Sequence, residues 1–169
     1  MKARHSLALL VLTLSLLAPA AISQETGSQI VPVDTAGYRA VLAAARGGPV
    51  LVNFWATWCV PCIEEFPDIQ RLRSVYGPRG LRVLFVSIDR QADAQTKVAR
   101  FLRQHGVDFT TYIKKPGDDE GFINAVSSDW SGALPATALY DAKGALRKIL
   151  VDKQSFDGLA HLVEPLLAR

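Results

Sequence analysis

Apolar residues along the chain follow two patterns, short continuous runs and segments with helical spacing. The runs are typical of strands buried on both faces, and the most apolar of them cover 50–55 and 81–89. The segments with helical spacing are typical of helices that pack over such strands. In chain order the pattern predicts strands at about 29–33, 50–55, 81–89, 109–113, 136–140 and 145–151, and helices at about 35–45, 59–76, 92–105, 122–126 and 155–167.

Strands and helices alternate through most of the chain, and only the last two strands follow each other directly. Alternation builds parallel strand pairs through crossover helices, whereas a turn such as 141–144 builds an antiparallel hairpin. The pattern therefore predicts an α/β fold with a mixed central sheet, mostly parallel with an antiparallel edge hairpin, and helices on both faces. The charged run around Lys114-Lys115 and 118–120 is predicted to be a solvated loop.

The first 23 residues differ in pattern from the rest of the chain. A positive start with Lys2 and Arg4 precedes an apolar run over 7–17, and small residues follow. This is the pattern of a secretory signal peptide, so we expect residues 1–23 to be cleaved and 24–169 to form one periplasmic domain. The alternative is an uncleaved membrane anchor, which the short run disfavours because a spanning helix needs about 20 apolar residues.

Charge and cysteine content narrow the possible functions. Removing Lys2 and Arg4 with the leader leaves 17 of the 19 basic residues against 16 acidic ones. No basic cluster remains that would indicate binding of nucleic acid. The only two cysteines lie in one C-x-x-C, so an exported chain would have no structural disulfide framework, and its sulfur would serve chemistry.

The cysteines, Cys59 and Cys62, stand where the apolar strand 50–55 is followed by a helix. Two intervening residues allow the sulfurs to close a small disulfide ring across the first helical turn. The unpaired N–H groups and partial positive charge of the helix N-terminus favour a thiolate at the first sulfur. Pro61 fits there because the N–H groups of a first turn have no helical partner. The pattern predicts a dithiol redox site.

The stretch NFWATWCVPCIEEFP at 53–67 and the later Leu-Pro-Ala-Thr at 134–137 resemble thioredoxin-fold proteins. More narrowly, the chain resembles the exported TlpA/ResA-like thiol–disulfide oxidoreductases over about 29–167. The resemblance implies a thioredoxin-like fold and reduction of disulfide-containing protein substrates through a mixed disulfide. It also implies re-reduction by a membrane electron donor. No dinucleotide-binding fingerprint is present, and we expect no cofactor.

The resemblance also implies roles for single residues. Cys59 is similar to the exposed attacking cysteine of the family, and Cys62 to the more buried resolving cysteine. Glu65, on the same helical face as Cys62, resembles a glutamate thought to move protons to and from the resolving cysteine. Ordinary thioredoxins use an aspartate where this chain has Asn53, which cannot titrate. The alternative is that Glu64 and Glu65 only decorate the start of a helix, where acids are favoured.

Four further residues are expected to border the site and bind substrate. Pro135 resembles the cis proline that faces the cysteines and frees the backbone of Leu134 for an extended substrate. The alternative for Pro135 is a trans proline that opens a strand. Trp58 and Pro61 lie beside the cysteines, and Trp58 offers an apolar contact to partners. Trp130 either forms the opposite wall or fills a gap in the core.

Two other functions are alternatives to disulfide reduction. A thiol peroxidase of the peroxiredoxin-related type needs a P-x-x-x-T-x-x-C context, and the stretch before Cys59 has no matching proline. A thioredoxin-fold copper carrier uses a wider C-x-x-x-C spacing and a histidine, neither of which is in register here. A structural zinc site usually takes four Cys or His ligands, so no metal is expected at Cys59 and Cys62.

Overall fold

The computed structural model describes residues 28–167. The predicted signal peptide at 1–23 and the predicted domain start at 24 therefore lie outside the described residues. Within 28–167, no helix has the length and apolar character needed to cross a membrane. The strands are β1 Ile30–Val33, β2 Val50–Trp55, β3 Arg82–Ser87, β4 Thr111–Lys114, β5 Ala136–Tyr140 and β6 Leu146–Val151. The helices are α1 Thr35–Ala44, α2 Val60–Tyr76, α3 Ala94–Gln104, α4 Asp119–Val126 and α5 Phe156–Leu167, and a short 3-10 turn Gly77–Arg79 follows α2.

The six strands form one sheet in the order β1-β4-β3-β2-β5-β6. Strands β1 to β4 are parallel to one another, whereas β5 runs antiparallel to β2 and β6 antiparallel to β5. The predicted mixed sheet with an antiparallel edge hairpin is therefore confirmed. The predicted elements are all present, and they differ from the observed ones only at their ends.

Strand β2 is buried along its whole length because helices cover both faces of the sheet. Leu51 and Trp55 face the core cluster that contains α2, α3 and α5, and Val52 and Phe54 face the cluster that contains α1 and α4. Side chains alternate between the two faces of a strand. Asn53 therefore faces the α2 side of the sheet, which is the side that carries the cysteines.

The prediction of a solvated loop is wrong at Lys114. This residue ends β4 and is only 6% exposed. Its ammonium group donates to two backbone carbonyl oxygens and pairs with the Asp119 carboxylate. Asp118 caps α4 by accepting a hydrogen bond from the N–H of Gly121. Charged residues are normally solvated, but here the pairing compensates for the loss of water.

Candidate active site

The cysteines lie at the carboxyl end of β2, where the chain turns into α2. Cys59 is the N-cap residue of α2, and its sulfur is bonded to that of Cys62 at 2.05 Å. Cys62 is fully buried, as expected. Cys59 is only 5% exposed, so it is more buried than the exposed attacking cysteine that was expected. The bond to Cys62 occupies one side of the Cys59 sulfur. The dithiol thus lies in the oxidised state, with only Cys59 reaching the surface.

An apolar rim surrounds the exposed edge of Cys59. Trp58 is 58% exposed and Val60 is 63% exposed, and both are large hydrophobic residues that stay outside the core. Pro61 is also exposed and lies in the first turn of α2. Exposed apolar side chains around a reactive group are suited to contact with another protein.

Pro135 reaches the same edge of the sheet from strand β5. The Leu134–Pro135 peptide bond is cis, which confirms the expected isomer. Ala136 pairs with Phe54 in the antiparallel register of β5 and β2, so Pro135 lies beside the end of β2 that leads to the cysteines. Leu134 is half-buried and packs against the core cluster that contains both cysteines. The structure thus brings Leu134 and Pro135 to the dithiol.

Trp130 does not border the site. It is buried and packs on Phe54 with the ring centroids 4.6 Å apart, and its indole N–H donates to the carbonyl of Ala133 at 2.9 Å. Of the two alternatives for Trp130, the structure therefore shows the one in which it fills the core.

Glu65 lies in the core on the α2 side of the sheet and is only 1% exposed. The side-chain amide of Asn53 donates to its Oε1 at 2.7 Å, and the backbone N–H of Gln154 donates to its Oε2 at 2.9 Å. Burial raises the pKa of Glu65 above its ordinary value, and the two donated hydrogen bonds only partly oppose this effect. A buried carboxyl with a raised pKa is suited to taking up and releasing a proton.

Glu64 differs from Glu65 in its burial and in its partner. Its carboxylate is half exposed and pairs with Lys153 at 2.8 Å across the surface. The alternative of a surface acid at the start of a helix is therefore correct for Glu64 and wrong for Glu65. Among residues 28–167, no group of three or more His, Cys, Asp or Glu side chains is placed to hold a metal ion.

Asp89, which the sequence analysis missed, holds the turn that precedes Cys59. Its Oδ2 accepts from the backbone N–H of Thr57 at 2.9 Å, and its Oδ1 accepts from the Thr57 hydroxyl at 2.6 Å. The Ser87 hydroxyl donates to Oδ2 at 2.7 Å, so this buried carboxylate has three donors. The available signal was an acidic residue just after a buried strand, at the edge where parallel β2 and β3 both end.

We expect Asp89→Asn to lower the free energy of unfolding by about 2 kcal/mol, because an amide NH₂ would face a buried donor of Thr57. Urea unfolding of the oxidised protein measures the change. Asp93→Asn is the matched control, since Asp93 is exposed and pairs with Lys97 at 3.2 Å on the surface of α3. It should change the free energy by less than about 0.5 kcal/mol. Equal losses in the two variants would contradict the role given to Asp89.

The fold and the site together define a thioredoxin-like protein with a dithiol at a helix N-terminus and a cis proline beside it. The model of the AhpC/TSA family matches residues 23–149. The chain therefore belongs to the AhpC/TSA family.

The chain is also similar to individual proteins within this class. The thiol-disulfide oxidoreductase ResA of Geobacillus kaustophilus (strain HTA426) is 28% identical over 141 residues, which cover 83% of this chain and 76% of that protein. The thioredoxin-like protein YneN of Bacillus subtilis (strain 168) is 34% identical over 115 residues, covering 68% of this chain and 63% of that protein. The expected relationship to ResA-like thiol–disulfide oxidoreductases is confirmed.

A solved structure supports the fold. The thiol:disulfide interchange protein of the thioredoxin family from Chlorobium tepidum TLS superposes with a TM-score of 0.63 at 24% sequence identity. The match covers 74% of this chain and 83% of that chain. At this identity the similarity establishes the thioredoxin-like fold.

Proposed function

We propose that this chain is an exported thiol–disulfide oxidoreductase that reduces disulfides in partner proteins. The observation that carries the proposal is the Cys59–Cys62 disulfide at the N-terminus of α2, in which Cys59 keeps a small exposed fraction of 5% and Cys62 is fully buried. Such a pair can react with a partner at one sulfur only and keep the second for the internal step.

The reaction consists of two thiol–disulfide exchanges. In the reduced protein, the Cys59 thiolate attacks a partner disulfide, forms a mixed disulfide and releases the partner's second sulfur as a thiolate. The Cys62 thiolate then attacks the Cys59 sulfur, closes the observed disulfide and releases the partner's first sulfur. Two electrons pass from the dithiol to the partner, which leaves with two thiols. One of its thiolates receives the Cys62 proton, and the other takes from the solvent a proton equivalent to the one that Cys59 released on ionising.

Glu65 is the group that takes the proton from Cys62 before the second exchange. It follows Cys62 by three residues on α2, and both side chains are buried on the same side of the helix. Its raised pKa makes its carboxylate a better base than an exposed glutamate. The proton then passes to the departing partner thiolate, so Glu65 returns to the ionised state.

The partner segment binds in extended form between the apolar rim and the cis proline. Trp58 and Pro61 are exposed beside Cys59 in the chain, and the half-buried Leu134 precedes the buried Pro135. The backbone of Leu134 lies ahead of β5 and can pair with an extended peptide as a short additional strand. Disulfide-containing proteins are the substrates of such a surface.

Export and re-reduction complete the cycle. Support for export is the signal-peptide pattern of residues 1–23, followed by a periplasmic domain that begins at 24. The oxidised dithiol must be reduced again by a second dithiol, which a membrane protein supplies by carrying electrons from the cytoplasm.

The reduction potential of the Cys59/Cys62 couple tests the proposed direction. Equilibration of the protein in defined dithiol buffers, followed by alkylation of free thiols, gives the value. We expect a potential near that of thioredoxin, about −270 mV. A potential near about −120 mV, which is typical of a strong thiol oxidant, would contradict reduction. Rapid consumption of hydrogen peroxide without insulin reduction would instead favour the thiol peroxidase.

A further inference from the structure

A cluster of buried polar side chains lies between β2, β5 and α2, on the side of the sheet that carries the dithiol. Its side chains are those of Asn53, Glu65 and Thr137, each of which is at most 1% exposed. Asn53 and Thr137 face each other in the register of β2 and β5, and the Asn53 amide nitrogen lies 3.4 Å from the Thr137 hydroxyl. The same amide nitrogen donates to Glu65 at 2.7 Å.

One atom of this cluster has no hydrogen-bond partner among residues 28–167. The Oδ1 atom of Asn53 is buried and accepts no hydrogen bond from any residue within 28–167. A buried amide oxygen without a donor costs stability, and such atoms are rare in folded proteins. The neighbouring carboxyl of Glu65 is a group that needs such an acceptor when it is protonated.

An ionised carboxylate only accepts hydrogen bonds, whereas a protonated carboxyl carries one donor and needs an acceptor. Both oxygens of Glu65 already accept from N–H groups, which is the pattern required by the ionised form. When Glu65 takes a proton, its new O–H needs an acceptor, and of these two partners only one can become an acceptor. The backbone N–H of Gln154 cannot do so, but the Asn53 side chain carries both an NH₂ group and an oxygen.

We propose that Asn53 is a positioning residue that holds Glu65 in the same place in both protonation states. Its NH₂ group donates to the ionised carboxylate, and rotation about its Cβ–Cγ bond brings Oδ1 to accept from the protonated carboxyl. The inference rests on the proposed function of Glu65 as the group that exchanges a proton with Cys62. It explains why an amide suits this position: aspartate would repel the Glu65 carboxylate, and leucine would offer neither donor nor acceptor.

Other groups near Glu65 also affect its pKa or contact its carboxyl. Asp68 on α2 raises the pKa of Glu65, and Lys153 in the segment before α5 lowers it. The backbone N–H of Gln154 donates to its Oε2, and Cys62 precedes it on α2. In the oxidised protein Cys62 is bonded to Cys59 and does not titrate, so a pH titration of this form reports on Glu65 without the thiol.

Nuclear magnetic resonance of the oxidised, full-length chain tests the proposal. The carboxyl carbon of Glu65, assigned by its loss in Glu65→Gln, and the side-chain amide of Asn53 are followed from pH 3 to pH 9. We expect the Asn53 amide signals to shift with the same midpoint as the Glu65 carboxyl. In Asn53→Leu the Glu65 midpoint should rise by about half to one pH unit, because the ionised form loses a charge-assisted hydrogen bond and the protonated form loses only a weaker neutral one.

Thr137→Val is the matched control, because it changes the neighbour of Asn53 that does not touch Glu65 in the observed contacts. It should leave the Glu65 midpoint within a few tenths of a pH unit. Asn53 amide signals that stay constant through the Glu65 titration would overturn the proposal, and this measurement needs no Asn53 variant to fold. A coupled titration in a protein that reduces no disulfide would refute the proposed function and leave the role of Asn53 intact.

Discussion

Cys59→Ser will abolish the reduction of insulin disulfides, whereas the wild-type protein reduces them in the presence of a dithiol. The physical reason is access: Cys59 is the one residue of the pair with any exposed surface, and Cys62 is fully buried. A serine hydroxyl cannot attack a disulfide at neutral pH, and Cys62 cannot reach a partner in its place. The turbidity of precipitating insulin chains measures the rate.

Cys62→Ser should behave differently, although it also lacks one sulfur. Its Cys59 thiolate still attacks a partner disulfide, but no second thiolate releases the mixed disulfide. Non-reducing electrophoresis should therefore show a covalent adduct with insulin that a dithiol removes, and Cys59→Ser should form none. Wild-type rates in both variants would contradict the dithiol mechanism, and adducts formed only by Cys59→Ser would reverse the two roles.

The parts of the fold that could be predicted are those governed by local pattern. Strand β2 was predicted at its observed bounds because its apolar run is limited by Gly47-Gly48-Pro49 and by the turn at Thr57. Full burial on both faces gives a continuous apolar run, which is the clearest strand signal in a sequence. The position of Glu65 relative to Cys62 followed from helical spacing in the same way.

The contacts that could not be predicted join distant parts of the chain. The hydrogen bond from Thr57 to Asp89 spans 32 residues, and the one from Gln154 to Glu65 spans 89. Each depends on the order of strands in the sheet and on the register between them, which periodicity does not encode. The burial of Lys114 escaped prediction for a different reason: its partners lie within five residues along the chain, but a charged run is normally solvated.

The dependence on distant contacts also explains why the sequence indicates which residues form the site but does not indicate the pKa of Glu65. The cysteines and Pro135 belong to short motifs that a resemblance can identify. The raised pKa of Glu65 arises from burial between β2, α2 and the segment before α5, and its donors Asn53 and Gln154 come from two of these elements. A sequence can nominate a carboxyl, but only the packing determines whether it is a base or a surface acid.

Glu65→Gln should slow the oxidation of the reduced dithiol by a partner disulfide by about 100-fold above the pKa of Glu65, because general bases contribute about 10²–10⁴ to rates. Below that pKa the wild-type carboxyl is protonated, so the two proteins should converge. The variant therefore loses the limb of the pH–rate profile in which the wild-type rate rises through the Glu65 pKa. Stopped-flow tryptophan fluorescence across pH measures both profiles.

The free energy of unfolding should fall over the pH range in which the rate rises. Burial raises the pKa of Glu65 in the folded state above its value in the unfolded chain. The stability that comes from binding this proton is fully present below the unfolded pKa and is lost as pH rises through the folded pKa. The free energy of unfolding of the wild type should therefore fall relative to Glu65→Gln over that range. Glu64→Gln is the matched control. Glu64 lies on the surface and pairs with Lys153, so its substitution should leave the pH profiles of rate and of stability unchanged. A Glu65→Gln variant with wild-type rate and stability profiles would show that the buried carboxyl takes no part in proton transfer.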